Sequence, residues 1–102
     1  MAYQSEPSER IEFDTLAQLI ETEIEYQSPD IDIEGGRTWR NQVYTARLVQ
    51  HGPHNALLYL SQDDLPQEAV VSPLIPLQYG SAKSVAVDIN NWLKSGEVRP
   101  PS

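Results

Sequence analysis

Two histidines, His51 and His54, stand three residues apart in His51-Gly52-Pro53-His54, a spacing that places two imidazoles on one loop as half of a metal site. Catalytic or structural zinc needs three or four protein ligands with supporting partners. No third histidine and no cysteine exists, and Asp63 and Asp64 lie well along the chain. A polar hairpin turn is the expected role. The run Asp30-Ile-Asp32-Ile-Glu34-Gly35 matches the start of a calcium-binding loop, where alternating oxygens wrap the ion and glycine makes the sharp turn. The bidentate glutamate required at position twelve is Asn41 here, and Arg37 puts a cation in the loop. The residues that follow read as strand, so no calcium site is expected. A nucleophilic serine needs a neighbouring base and an oxyanion site, yet there is no Gly-x-Ser-x-Gly, and Ser81-Ala82-Lys83 has the wrong spacing for a serine–lysine pair. The five glycines are scattered rather than gathered into a phosphate-binding loop. Carboxylates abound, but acid–base work needs one of them in an apolar pocket. The residues predict no enzyme, no metal and no cofactor.

The elements that carry these residues fit one domain. The 102 residues bury one modest core, made lean by an apolar content of 39% and a single phenylalanine. The absence of cysteine rules out disulfides and suits a reducing compartment. The N-terminus lacks the basic and apolar regions of a signal peptide. The long uncharged run Ala69 to Ala82 is broken by Pro73 and Pro76 and cannot span a membrane. A cytoplasmic location is expected. Residues 1–10 and 97–102 read as flexible tails around a domain of residues 11–96.

Asp14 is placed to cap a helix reaching about Tyr26. Leu16, Leu19, Ile20 and Ile24 form its apolar stripe, with Phe13 just outside. The alternation of Ile20, Thr22, Ile24 and Tyr26 with Glu21, Glu23 and Glu25 also suits a half-exposed strand, but the stripe's extension back to Leu16 favours helix. Ser28-Pro29 ends the element. Thr38 to Gln50 reads as a strand, residues 51–55 as a turn and Ala56 to Leu60 as a central strand. Ser61 to Glu68 reads as a polar connection. Ala69-Val70-Val71 reads as a short edge strand, cut off by prolines that lack amide donors. Ser81 is placed to cap a second helix with Ala82, Val85, Ala86, Ile89, Trp92 and Leu93 on one stripe, and Gly96 to end it in the left-handed conformation. The predicted fold is α+β, in the order helix, three-stranded antiparallel sheet, helix (α-β-β-β-α), with both helices on one face of the sheet.

That order, with Gly52-Pro53-His54 between the first two strands and Ala82-Lys83 opening the last helix, resembles the double-stranded-RNA-binding domain over most of residues 14–95. The resemblance implies RNA binding through a lysine cluster and the first helix. Here the cluster is reduced to Lys83 and the first helix is acidic, so nucleic acid is a poor partner.

Charge is the feature that points outward. Residues 1–34 hold ten acids and one base, a net of −9; the other 68 hold five acids and six bases, a net of +1, together the −8 of the chain. Such a segment steers toward cationic surfaces. The expected function is that of a small acidic, non-enzymatic protein-binding regulator, an inhibitor, anti-activator or adaptor. Its partner would carry a basic surface, as a transcription factor or nucleic-acid-handling complex does. The partner-binding residues are expected to be Glu21, Glu23, Glu25, Asp30 and Asp32, with Val71, Leu74, Ile75, Leu77 and Tyr79 as apolar anchors. A structural, self-assembling subunit and a degenerate double-stranded-RNA-binding-like domain are the alternatives, and a homodimer is compatible with a regulator or a structural subunit. The acidic mechanism requires that the carboxylates before Gly35 lie together, unpaired by Arg37, Arg40 and Arg47.

Overall fold

A computed structural model describes residues 9–24 and 28–96. The end of the first helix as placed from sequence (residues 25 and 26), the carboxylate of Glu25 and most of both tails fall outside them. Helix α1 spans Phe13–Glu23. Strands follow at Asp30–Ile31 (β1), Arg37–Arg40 (β2), Tyr44–Gln50 (β3), Asn55–Gln62 (β4), Leu65–Val71 (β5) and Ile75–Pro76 (β6), and helix α2 covers Ser81–Ser95. The class is α+β, but the sheet has six antiparallel strands rather than three. Its order is β1-β2-β3-β4-β5, with β6 also paired to β4 beyond the end of β5. The α-β-β-β-α order behind the likeness to the RNA-binding domain is therefore not the order of this chain.

Each added strand has a local cause. The stretch from Thr38 to Gln50 is two strands because Asn41 turns the chain. Its Oδ1 accepts from the amides of Val43 and Tyr44 at 2.9 and 2.7 Å, and its Nδ2 donates to the Leu93 carbonyl at the end of α2. A side-chain amide of this kind offers the backbone a turn in place of the ladder. The connection expected over residues 61–68 is mostly strand: β4 runs on to Gln62, turns at Asp63-Asp64 and returns as β5. Ladder bonds are made by the backbone, so a run of polar residues at a sheet margin does not end a strand. Strand β6 forms in spite of Pro76, because a proline that cannot donate still fits an outer, two-residue pairing, here Asn55 with Pro76 and Ala56 with Ile75.

The helix ends also differ in detail. Glu12, not Asp14, is the N-cap of α1; Phe13 is inside the helix and buried, and Ile24 leaves it in an extended conformation. Residues 20–23 are helical. Gly80 rather than Ser81 precedes α2, and Gly96 closes it with φ 70°, its amide donating to the Trp92 carbonyl at 2.8 Å. Ahead of α1, the Ile11 amide donates to Leu77 O and the Tyr79 amide to Glu9 O, at 3.0 and 2.9 Å.

Along β3 and β4 burial alternates with period two. Ala46, Leu48, Ala56, Leu58 and Leu60 join Trp39 in a core with Leu16 and Ile20 of α1 and with Val85, Ile89 and Trp92 of α2. Both helices thus lie on one side of the sheet. The other side carries the alternate residues, and among the described residues no helix covers it.

Candidate binding groove

Strand β5 stops at Val71 because the next two residues cannot continue it. Ser72 closes the ladder: its amide donates to Leu58 O at 2.9 Å, its Oγ accepts from the Leu58 amide at 3.0 Å, and its hydroxyl donates to Pro73 O. Pro73 has no amide hydrogen to offer. Pro73 and Leu74 form a link outside the strands before the chain rejoins β4 at Ile75. Between this link and the first half of α2 lies a groove of about 520 Å³. Leu58 and Val85 form its buried floor, Leu74 and Ile75 one wall, and Ser84 and Asp88 part of the opposite rim. Leu74 is 55% exposed. The lining is apolar with a few polar groups at the edge, the composition that takes an apolar side chain or short segment.

The residues expected to bind a partner separate into three groups. Leu74 and Ile75 line the groove. Val71 and Tyr79 are exposed but do not line it. Leu77 is 4% exposed and belongs to the core, so it offers no anchor; the register that places Ile75 opposite Ala56 turns Leu77 inward against His54, whose carbonyl takes its amide proton.

The carboxylates do not form one unpaired face. Arg47 Nη2 lies 2.7 Å from Asp32 Oδ2, Arg37 Nη1 lies 3.4 Å from Asp14 Oδ1, and Arg40 Nη2 lies 3.9 Å from Asp30 Oδ2. The three arginines after Gly35 thus neutralise three of the acids before it, including both aspartates expected at the interface. Glu21 and Glu23 sit on α1 with no ion pair among the described residues, Glu23 the more exposed.

Asp32 is held in place by a turn. Its Oδ1 accepts from the amides of Glu34 and Gly36, both at 2.9 Å, while Oδ2 takes the Arg47 guanidinium. The Arg47 bond first, and then the Gly36 amide, holds its pKa below the ordinary 3.8. A depressed native value means stability that is present above the unfolded pKa and lost as pH falls through the native one. Urea midpoints followed from about pH 5 down to pH 2 should therefore fall on the acid limb, and fall less steeply in Asp32→Asn. Equal slopes in the two proteins would show that the Arg47 pairing does not bear on stability.

His51 and His54 are exposed in the β3–β4 turn. No group of three histidine, cysteine or carboxylate side chains able to hold a metal occurs among the described residues, and no described helix is long and apolar enough to cross a membrane. Nothing in the sequence marks the α2 side of the groove: Val85 reads only as part of a core stripe, and the spacing of Ser84 and Asp88 signals no rim.

Fold and groove together define a two-layer α+β domain with a shallow apolar cleft between one helix and a proline-bounded link. Comparison with protein-family models finds none that matches the chain, and neither the curated proteins nor the solved structures include a match.

Proposed function

We propose that this chain is a cytoplasmic, non-enzymatic protein-binding regulator, an inhibitor, anti-activator or adaptor, that seats an apolar side chain of a basic partner protein in the groove beside Leu74. The observation that carries the reading is the groove itself: one apolar wall of exposed Leu74 and half-buried Ile75 over a Leu58–Val85 floor. Filling it with one leucine-sized side chain contributes about 2 kcal/mol from burial. Glu21 and Glu23, with the net charge of −8, act at a distance: they speed encounter with a cationic surface and add little to the lifetime of the complex.

The two roles separate by mutation. Leu74→Asp, at an exposed position, keeps the fold and puts a carboxylate where the partner's apolar group must sit; affinity should fall about 100-fold, through faster dissociation. Glu21→Gln with Glu23→Gln should instead slow association several-fold at low salt and flatten its salt dependence. Wild type and Leu74→Asp are used side by side as bait in native lysate, and the protein that only the wild type retains is then measured by surface plasmon resonance. Identical sets of retained proteins would sink the groove as the binding site.

A further inference from the structure

The side of the sheet away from the helices carries a continuous row across five strands. Registers align Asp30 with Thr38, Thr38 with Arg47, Arg47 with Tyr59, and Tyr59 with Val71. Beside that row Val49 is paired with Leu57, and Arg40 is followed across the sheet by Thr45 and Ser61. Val49, Leu57 and Tyr59 are half-buried and Val71 is 48% exposed. A solvated sheet face ordinarily alternates to polar residues; this one presents Val49, Leu57 and Tyr59 on its inner strands β3 and β4 and Val71 at the end of the edge strand β5.

We propose that two copies of this chain pack face to face through this helix-free side of the sheet, centred on Arg47, Tyr59 and Val71. Charge makes this the face on which a second copy of an acidic chain can meet the first without local repulsion. Arg47 pairs with Asp32 and Arg40 with Asp30, so these four groups cancel and add nothing to the net charge of −8. Asp63, at the margin, accepts from the Thr45 hydroxyl at 3.3 Å. Two copies meeting through α1 would set Glu21 and Glu23 against their counterparts; meeting through the sheet they set neutral pairs against neutral pairs. A two-fold arrangement also brings the same patch to both sides, as closed dimers require, and aligned sheets pack about 10 Å apart with their side chains interleaved.

Gly36 shows how closely this face is built. A methyl group there would lie 2.8 Å from Asp32 Oδ2 and 3.3 Å from Val49 Cγ1, so glycine is what lets Asp32 seat beside Arg47 and Val49. Strand spacing and rise give the four long strands a projected footprint of roughly 440 Å². That is below the ~800 Å² per partner of a standard interface and suits a weak, reversible dimer. Tyrosine and arginine near the centre are the residues that most often carry such interfaces. The groove opens on the helix-bearing side and stays free in each copy.

The test is sedimentation equilibrium of the full chain from ~5 to ~500 µM, at low and at ~0.5 M salt. The mass should rise from 11.5 kDa toward twice that value, and at lower concentration in high salt, which screens the repulsion between two acidic chains. Tyr59→Glu should weaken dimerisation at least ~10-fold, because two like charges would meet near the axis. Val71→Glu, at a half-exposed site, should do the same, and it decides the matter if the tyrosine variant does not fold by near-ultraviolet circular dichroism. Leu74→Asp should dimerise like the wild type. A mass fixed at 11.5 kDa throughout, or a folded Val71→Glu that dimerises undiminished, overturns the proposal. So does loss of the dimer in Leu74→Asp alone, which would put the contact at the groove. Partner retention and self-association are separate readouts, so one can fail while the other stands.

Discussion

Truncating Trp92 to alanine should lower the free energy of unfolding by about 4 kcal/mol, the middle of the range for removing a buried aromatic. Trp92 is 8% exposed and is where α2 is fastened to the sheet. Its indole N–H reaches the carbonyls of Thr45 and Ser61, both at 3.1 Å, across the β3–β4 pairing. Its ring lies against Tyr44, with centroids 5.1 Å apart and planes tilted by 58°. A domain of this size has roughly 5–15 kcal/mol in all, so the loss takes a large share of the margin. Trp92→Phe divides the effect. It keeps most of the apolar contact and drops the N–H, and should cost about 1–2 kcal/mol. Urea unfolding followed by far-ultraviolet circular dichroism measures both. If the phenylalanine variant is as unstable as the alanine one, the hydrogen bond rather than packing is what joins the helix to the sheet.

Gly96→Ala should cost about 3 kcal/mol from two sources that a second glycine separates. The residue has φ 70°, and a side chain in the left-handed region costs about 1 kcal/mol by itself. An added Cβ would also lie 2.7 Å from the Tyr44 ring, which already rests on Trp92, so relieving the overlap disturbs that contact. Gly52, in the β3–β4 turn, has φ 77° and nothing within 4 Å of an added Cβ. Gly52→Ala therefore reports the backbone term alone, about 1 kcal/mol. Thermal or urea unfolding of the two variants should differ by about 2 kcal/mol; equal losses would mean that Tyr44 moves aside freely.

Arg37 is a reminder that pairing is not the same as full satisfaction. It is 6% exposed, its guanidinium meets Gly35 O and the Asp14 carboxylate and lies 5.7 Å over the Phe13 ring, and its Nε has no hydrogen-bond partner. Buried ions of this kind are weak evidence of stabilisation. What Arg37 does do is tie the start of α1 to β2 across 23 residues of sequence.

The short-range features were legible in the residues. The apolar stripe from Ala82 to Leu93 and the glycine after it specify α2 and its left-handed end. The turn at His51 to Asn55 and the continuous apolar run from Ala56 to Leu60 specify a hairpin whose second strand lies inside the sheet. The prolines on either side of Leu74 and Ile75 mark a break in the ladder, because they withhold its donors, but the residues alone leave open whether this stretch covers the core or faces solvent. Each of these is a matter of a residue and its near neighbours, settled by period, dihedral preference or a missing N–H. The extra strands, the burial of Leu77 and the fate of the carboxylates are of another kind. Asp14, Asp30 and Asp32 look like an uninterrupted acidic run until the sheet brings Arg37, Arg40 and Arg47 back beside them, and Asp32 meets Arg47 across 15 residues of chain. Coulomb attraction depends on distance in space, and only the strand registers set that distance. Whether a charged segment is open to a partner or closed on itself is therefore decided by tertiary structure, while composition decides only how much charge there is to place.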